Sequence, residues 1–433
     1  MAWDFETDPE FQKQLDWIDE FVRQDVEPLD HILGSAWNIR DPDFIKLVRP
    51  LQARVKERGL WACHLGPELG GKGYGQVKLA LMNELFGRSR FGPIVFGAQA
   101  PDTGNAEILA HYGTTEQKAR FLEPLLKNEI VSCFSMTEPQ GGADPLVFRT
   151  SAVRDGDEWV INGEKWFSSN ARYADFLIVM AVTDPDATPY KRMSMFIVPS
   201  DTPGVEIVRN LGFWGEPEPS HAYMRYTNVR VPVDAMLGGR GEAFVVAQVR
   251  LGGGRMHHAM RTVAQAQRAF EMTCERVVSR FTKGESLANK QMVQEKIADS
   301  WIQLRQFRLL VLETAWLIDK HHDYKIVRKN IAAVKAIMPS VLHDVSARAL
   351  HLHGSFGIST EMPFSDLLIN SYHVGLADGP TEVHKVTVAR EVLKDFKPSN
   401  AMFPTYHLLE EEARALEKYG ALMEGVPTTR APA

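Results

Sequence analysis

The sequence predicts an α+β protein of several domains. A helical N-terminal domain is expected over residues 1–130, a central small β-barrel or sheet domain over 131–238, and a C-terminal four-helix bundle over 239–400, with an extension over 401–433. Helical apolar periodicity in the first part, short apolar runs between turns in the middle, and long helical runs after residue 238 predict this order. A strand domain inserted between helical domains leaves a cleft for a flat ligand.

The N-terminal part has the spacing of amphipathic helices. Pro9 to Pro28 carries apolar residues at i, i+3 and i+4 positions, which predicts one buried helical face. Asn105 to Tyr112 and Thr115 to Lys127 predict two more helices, separated by Gly113 as a helix stop.

The middle part alternates between apolar runs and turn residues. A hairpin is predicted over Ser151 to Gly163, with Asp155 and Gly156 as its tight turn, and the serines and asparagine that close the segment 163–171 predict a further turn. Four more strands are predicted, at Phe176 to Val182, Met195 to Pro199, Val205 to Val208 and Ala222 to Val231.

The C-terminal part is again helical, and its helices are long. They are predicted over residues 244–281, 292–322, 324–353 and 381–396, with a further helix over 407–418. The glycines at 252–254 are expected to interrupt the first of them. Short connections favour antiparallel packing as a bundle.

Composition excludes several classes of function. The chain has 433 residues and a formal net charge of −6, which gives no electrostatic basis for binding nucleic acid. No apolar stretch reaches the length of a membrane span, and the acidic N-terminus lacks the apolar core of a secretory signal. Cys63, Cys133 and Cys274 stand far apart, so we expect no metal site, no disulfide framework and a cytoplasmic location.

Three segments carry side chains suited to a ligand, although each has a plain structural interpretation. Cys133 to Asp144 has the pattern of a strand that ends in a turn, or of a backbone that approaches a ligand edge. Gly163 to Ala171 has two adjacent aromatics that could pack in the core or stack on a heterocycle. Asp378, before Gly379 and Pro380, fits a helix N-cap equally well.

Taken in order, the motifs identify a family. From about residue 10 to 398 the chain resembles the acyl-CoA dehydrogenase family. The resemblance lies in segments that occur in the family's order: Pro67 to Gly75, Asn105 to Lys118, Thr137 to Asp144, Gly163 to Asn170, Arg280 to Gly284, His351 to Gly357, and Asp378 to Glu391.

The resemblance implies that FAD lies between the β domain and the C-terminal bundle. It places Met136 and Thr137 at the pyrimidine edge of the flavin, Phe167 against the ring system and Ser169 near N5. Arg280 is implied to reach the FAD of a neighbouring subunit, so a dimer or tetramer is expected. The implied FAD contacts as a whole are Phe134, Met136, Thr137, Ala143, Phe167, Ser169, Arg280, Gln291, His351, Gly354, Ser355, Pro380 and Glu382.

The same resemblance implies the catalytic base. Asp378 stands where the family commonly has a glutamate, and the family's alternative base position, just before Arg255, is Gly254 here. Asp378 is therefore the implied base, although it is one methylene shorter. Arg255 and Gly379 are implied to contact the substrate.

The implied activity is FAD-dependent α,β-dehydrogenation of an acyl-CoA to a trans-2-enoyl-CoA, as in fatty acid β-oxidation, with an electron-transferring flavoprotein as acceptor. The segment Asp378 to His384 is similar to a branch fused to phosphotransferase-like kinases and to its free-standing bacterial relatives. Three alternatives therefore stay open: action on 4-hydroxyacyl-CoA or 4-phosphoryloxyacyl-CoA, an acyl-CoA oxidase, and a catalytically silent flavoprotein.

Overall fold

Capped, amphipathic helices build the N-terminal part of the chain in the computed structural model, which describes residues 5–67, 71–213, 218–399, 402 and 406–423. The first helix begins after Asp8, whose carboxylate accepts the N–H of Phe11 at 2.9 Å, and the second begins in the same way after Asp41. The helices are α1 (Pro9–Phe21), α2 (Pro42–Glu57), α3 (Gly75–Phe86), α4 (Gly92–Val95), α5 (Asp102–Tyr112), α6 (Thr115–Gln117) and α7 (Glu123–Leu126).

The middle of the chain forms one sheet. Its strands are β1 (Ser132–Ser135), β2 (Ser151–Asp155), β3 (Glu158–Ser169), β4 (Phe176–Val182), β5 (Met193–Pro199), β6 (Val205–Leu211), β7 (His221–Pro232) and β8 (Met236–Leu237). Their order is β6-β7-β3-β2-β4-β5-β8, and β1 pairs in parallel with β4. The buried strand β4 explains the continuous apolar run in the sequence, because alternate residues face two different cores, one against α5 and the first long C-terminal helix and one against the rest of the sheet.

Two details of the predicted hairpin were wrong. Asp155 pairs with Glu158, so the turn residues are Gly156 and Asp157. Strand β3 also continues to Ser169, through the serines that the sequence assigned to a turn, because its second half pairs with β7 across a bulge between Lys165 and Ser168.

Long helices form the C-terminal part. The elements are α8 (Ala243–Ser279), β9 (Phe281–Thr282), β10 (Glu285–Ser286), α9 (Gln291–His321), α10 (Arg328–His353), α11 (Phe364–Leu376) and α12 (Thr381–Leu393). α8 and α10 run in the same direction and α9 runs against them, so that Arg255 lies near Lys335 at one end and Arg276 lies near His353 at the other. The chain divides into two units, residues 1–388 and 389–433, and the second contains α13 (Leu408–Tyr419).

The bundle departs from the sequence prediction in two places. α8 is continuous through Gly252, Gly253 and Gly254, because side chains from other elements fill the space over these glycines. The sequence prediction also missed α11, which packs on α10 and carries the buried Phe364 and Val374. Within the described ranges, no helix is long and apolar enough to cross a membrane.

Candidate active site

The candidate site is centred on the run of three glycines in α8, Gly252 to Gly254. A Cβ atom on Gly254 would lie 3.0 Å from Oδ2 of Asp378, and a Cβ on Gly253 would lie 3.0 Å from Oε2 of Glu107. A Cβ on Gly252 would meet the ring of Tyr324 at 2.9 Å. The glycine run therefore lets three polar side chains reach the helix backbone.

Asp378 sits in the short turn between α11 and α12 with a φ of 55°, in the left-handed region that non-glycine residues seldom occupy. Its carbonyl oxygen accepts the Nε–H of Arg255 at 3.1 Å and lies 3.3 Å from Nε2 of His384. These contacts hold the strained backbone, and the carboxylate is turned towards α8. The Asp378 side chain is 16% exposed.

The charge of Asp378 is set by two opposing effects. Burial alone would raise the pKa of this carboxyl, but His258 and the cations Arg250, Arg255 and Lys335 outweigh it and hold the pKa below its ordinary value. Asp378 is therefore an anion at neutral pH.

His258 lies beside that carboxylate. Its Nε2 lies 3.6 Å from Oδ2 of Asp378. Burial lowers the pKa of His258 to about 4, although the charge of Asp378 pulls the other way, so the imidazole is neutral at pH 7.

A second polar group lies beside the same glycines. Burial raises the pKa of Glu107 to about 7, against the effect of its hydrogen bond with Tyr324 and of the nearby Arg250. Arg250 donates its Nε–H to Asn105 at 2.9 Å and places its guanidinium 4.0 Å from the ring centre of Phe134 on β1. This group links α5, α8 and the sheet.

The end of β1 is fixed by a buried ion pair. Lys165 donates to the carbonyl oxygen of Met136 at 2.8 Å and to Glu138 at 2.9 Å, and the side chains of Lys165 and Glu138 are 0% and 2% exposed. The N–H of Trp166 donates to the carbonyl oxygen of Thr137 at 2.8 Å. Met136 and Thr137 are thereby held half-buried at the strand end.

The bulge in β3 displays an aromatic ring. Phe167 has a φ of 52° and remains 41% exposed, with its ring stacked near Phe213 at 6.1 Å. Phe213 in turn lies 4.7 Å from His373 of α11, which joins the sheet to the bundle. Two residues further along β3, the hydroxyl of Ser169 lies 2.8 Å from Nδ1 of His221.

These features fit a flat, heteroaromatic cofactor. An exposed ring on a strained bulge offers a stacking surface, and Gly142 has nothing within 4 Å of the position a Cβ would take, so the loop beside the exposed Ala143 has room for a ligand. In the described part of the chain, no group of three His, Cys, Asp or Glu side chains is placed to hold a metal ion.

The other predicted FAD residues divide between two places. Pro380 and Glu382 are near Asp378 at the start of α12. Arg280, Gln291, His351, Gly354 and Ser355 are exposed at the opposite end of the bundle. At 1.5 Å per residue, α8 alone separates Arg255 from its last residue, Ser279, by about 36 Å. One chain therefore does not bring both groups together.

The sequence was compared with models of known protein families. The chain matches the acyl-CoA dehydrogenase N-terminal domain over residues 8–129, the middle domain over 133–229 and the C-terminal domain over 241–393. The chain belongs to the acyl-CoA dehydrogenase family.

Relatives in this family cover most of the chain. The Mycobacterium tuberculosis protein FadE2, described as a probable acyl-CoA dehydrogenase, is 39% identical over 92% of this chain and 95% of its own length. Acyl-CoA dehydrogenase family member 11 of Gallus gallus is 38% identical over 89% of this chain, which spans 50% of that longer protein. A solved structure from Mycobacterium abscessus, assigned to the acyl-CoA dehydrogenases, is 37% identical with a TM-score of 0.83, over 91% of this chain and 100% of that one.

Membership of the acyl-CoA dehydrogenase family confirms the predicted fold class of helical, sheet and helical parts. It also confirms, at the level of the family, an oxidoreductase of the acyl-CoA dehydrogenase type that uses a flavin.

Several residues of the candidate site escaped the sequence analysis. His258, Tyr324 and Lys335 lie outside the segments that resemble the family, and Glu107 lies in one of them, Asn105 to Lys118, without an implied role. One signal was available for His258: Arg250, Gly254 and His258 are spaced at i, i+4 and i+8, which places all three on one helical face. Glu107 and Tyr324 come from separate elements, and no local pattern connects them to α8.

Proposed function

We propose that the chain catalyses FAD-dependent α,β-dehydrogenation of an acyl-CoA to a trans-2-enoyl-CoA, with Asp378 as the base that removes the α proton. The observation that carries this proposal is the carboxylate itself. It is anionic and largely buried, and within the described part of the chain neither of its oxygens accepts a hydrogen bond. A general base needs such a free oxygen and a poorly solvated setting.

FAD, when bound, supplies the acceptor for the hydride that leaves the β carbon. The residues placed to hold its flavin are Met136 and Thr137 at the end of β1 and the ring of Phe167, with Ser169 beside it. The fixed strand end and the exposed ring support this assignment.

The glycine at position 254 supports the use of the shorter aspartate. With no side chain there, the Asp378 carboxylate approaches the helix backbone, and the substrate can lie close to α8 as well. The left-handed backbone of Asp378 also turns its side chain into the site. Arg255 holds that backbone, and we propose that Arg255 and Gly379 contact the substrate.

A specific observation favours a second candidate, in which the acyl group carries a polar substituent such as a 4-hydroxyl or a 4-phosphoryloxy group. Arg250, Asn105, Glu107 and Tyr324 form a polar group beside the glycines of α8, next to the Cβ positions of Gly252 and Gly253. The guanidinium of Arg250 carries further N–H donors besides the Nε–H that Asn105 accepts, and a polar substituent on the acyl group can accept from them. A hydroxyl or phosphate could pair with the guanidinium or with the Glu107 carboxyl.

We further propose a homo-oligomer, a dimer or a tetramer. Val278, Phe281, Met292 and Trp301 are more than half exposed at the far end of the bundle, beside an apolar groove of about 520 Å³ lined by α8 and α9. Arg255, which contacts Asp378, and Ser279, which precedes Arg280, are about 36 Å apart along α8. This separation supports completion of the FAD site by a second copy of the chain. An electron-transferring flavoprotein as acceptor and a cytoplasmic location complete the proposal, and three free cysteines agree with a reducing compartment.

The experiment is an anaerobic titration of the flavin-loaded protein with a panel of acyl-CoAs. The panel contains straight-chain thioesters of several lengths and their 4-hydroxy and 4-phosphoryloxy forms, and flavin bleaching is recorded. Bleaching by one class establishes dehydrogenation and names the substrate. If FAD is bound and no thioester bleaches it, the proposal fails in favour of a silent flavoprotein. Rapid reoxidation of the reduced protein by oxygen would instead indicate an oxidase.

A further inference from the structure

His258 and Gly254 share one face of α8, one turn apart, and both meet the same oxygen of Asp378. A Cβ on Gly254 would lie 3.0 Å from Oδ2, and Nε2 of His258 lies 3.6 Å from it. The glycine thus gives the carboxylate room to rest against the helix directly beside the imidazole.

The groups around His258 leave it as a proton acceptor. The charged or titratable side chains that face it are Asp378, Arg261, His373 and Lys335, with His257 adjacent in the helix. Arg261 donates to the carbonyl oxygen of Ala98 at 2.6 Å and to Asn83 at 3.3 Å.

Lys335 donates its ammonium to the carbonyl oxygen of Val374. Both cations near His258 are therefore engaged elsewhere, and the neutral imidazole keeps a nitrogen 3.6 Å from Oδ2.

We propose that His258 shares the abstracted proton with Asp378, so that the two side chains work as one base. His258 is a positioning residue in this proposal, since it acts through Asp378 and not on the substrate. The inference rests on the proposed function. The physical reason is that a carboxylate surrounded by Arg250, Arg255 and Lys335 binds a proton weakly, and a neutral imidazole is a second acceptor for that proton.

The α C–H bond breaks, its electron pair stays on the thioester, and the proton bonds to the carboxylate of Asp378. His258 is then the tautomer with its hydrogen on Nδ1. The O–H bond breaks as an N–H bond forms at Nε2 of His258, which leaves Asp378 anionic and His258 an imidazolium. The 3.6 Å separation has to shorten by roughly 0.5 Å to become a hydrogen bond, a change common when substrate fills a site.

The test isolates proton abstraction from oxidation. The flavin-loaded protein is incubated in D₂O with a 3-thiaacyl-CoA, whose β position is sulfur and cannot yield a hydride, and deuterium entering the α position is measured by mass spectrometry. Exchange requires the abstracted proton to leave the base. His258→Asn should therefore slow exchange by about tenfold or more.

His257→Asn is the matched control. His257 is the buried neighbour of His258, its ring lies 6.0 Å from that of His64, and it makes no contact with Asp378 among the described residues. This variant should exchange at the wild-type rate. A third variant, His258→Ala, should recover exchange when imidazole is added, which a merely structural role for His258 does not predict.

Exchange by His258→Asn at the wild-type rate would overturn the inference. An equal loss of exchange rate in His257→Asn would also overturn it. So would a failure of added imidazole to restore exchange in His258→Ala, whether or not His258→Asn keeps its FAD. Asp378→Asn separates the two levels: exchange that survives in Asp378→Asn rejects the proposed function itself. Full exchange in His258→Asn with none in Asp378→Asn rejects only the role of His258.

Discussion

Glu138 in the sheet domain and Asp378 beside the helical bundle are both carboxylates next to buried cations, yet their oxygens are occupied differently. Glu138 accepts hydrogen bonds from Lys165 at 2.9 Å, from the N–H of Arg149 at 2.6 Å and from the N–H of Thr150 at 2.9 Å. The carboxylate of Asp378 accepts none from any residue the structure describes, and Nε2 of His258 lies 3.6 Å from its Oδ2.

The difference separates a structural ion pair from a reactive group. Full hydrogen bonding offsets the cost of burying Glu138 and Lys165 and fixes the strand end that carries Met136. The pKa of Lys165 is nevertheless lowered to about 8 by burial. Asp378 has cations nearby but no fixed donors, so it keeps its charge and can still accept a proton. Substitutions at Lys165, Gly254 and Lys335 test this contrast.

Lys165→Met should cost about 3–5 kcal/mol of unfolding free energy, because it leaves the Glu138 carboxylate buried without its cation. It should also weaken FAD retention, since Met136 loses its anchor. Chemical denaturation and flavin absorbance measure the two effects. The double variant Lys165→Met/Glu138→Met should recover part of the stability. A loss below about 1 kcal/mol in the single variant, typical of an exposed pair, would contradict the structural role.

Gly254→Ala should separate activity from stability. The new Cβ would lie 3.0 Å from Oδ2 of Asp378 and displace the carboxylate, so flavin bleaching by substrate should slow by about tenfold to a hundredfold. The melting temperature should stay or rise, because alanine favours a helix over glycine by about 0.5–1 kcal/mol. Gly253→Ala is the companion variant: its Cβ would meet Glu107, so it should change which acyl groups react. Unchanged bleaching in Gly254→Ala would argue against close packing of Asp378 on α8.

Lys335→Gln should give the smallest effect. It removes one of the cations that lower the pKa of Asp378, so that pKa should rise. Since the base must be deprotonated, the acid limb of the bleaching rate should move to higher pH. Lys320→Gln, at an exposed position on α9, provides the control. An acid limb that stays in place would show that Lys335 supports only the carbonyl oxygen of Val374.

The sequence predicted the helical, sheet and helical parts because each has its own periodicity. It failed where tertiary packing overrides local preference. Gly252 to Gly254 argued for a break in α8, yet the helix continues because Tyr324, Glu107 and Asp378 occupy the space that side chains would need. The serines at the end of β3 argued for a turn, yet pairing with β7 keeps them in a strand.

Sequence motifs predicted only the part of the candidate site that lies in segments resembling the family. Asp378, Met136, Thr137 and Phe167 lie in segments that resemble the family, and their roles remain predictions. The roles of His258 and Glu107 were not predicted, although Glu107 lies in the family-like segment Asn105 to Lys118, because they arise from contacts between α8 and segments more than a hundred residues away in the chain, at 378 and 107. No local pattern encodes such a contact.

The most direct test of Asp378 as the base is single-turnover flavin bleaching, measured by anaerobic stopped flow with the best thioester of the panel, in wild type, Asp378→Asn and Asp378→Glu. We predict that the asparagine variant keeps its FAD and its fold but bleaches slower by about a hundredfold or more. The glutamate variant should keep a measurable rate, since it restores a carboxylate. Bleaching by Asp378→Asn at the wild-type rate, with FAD bound, would contradict the account.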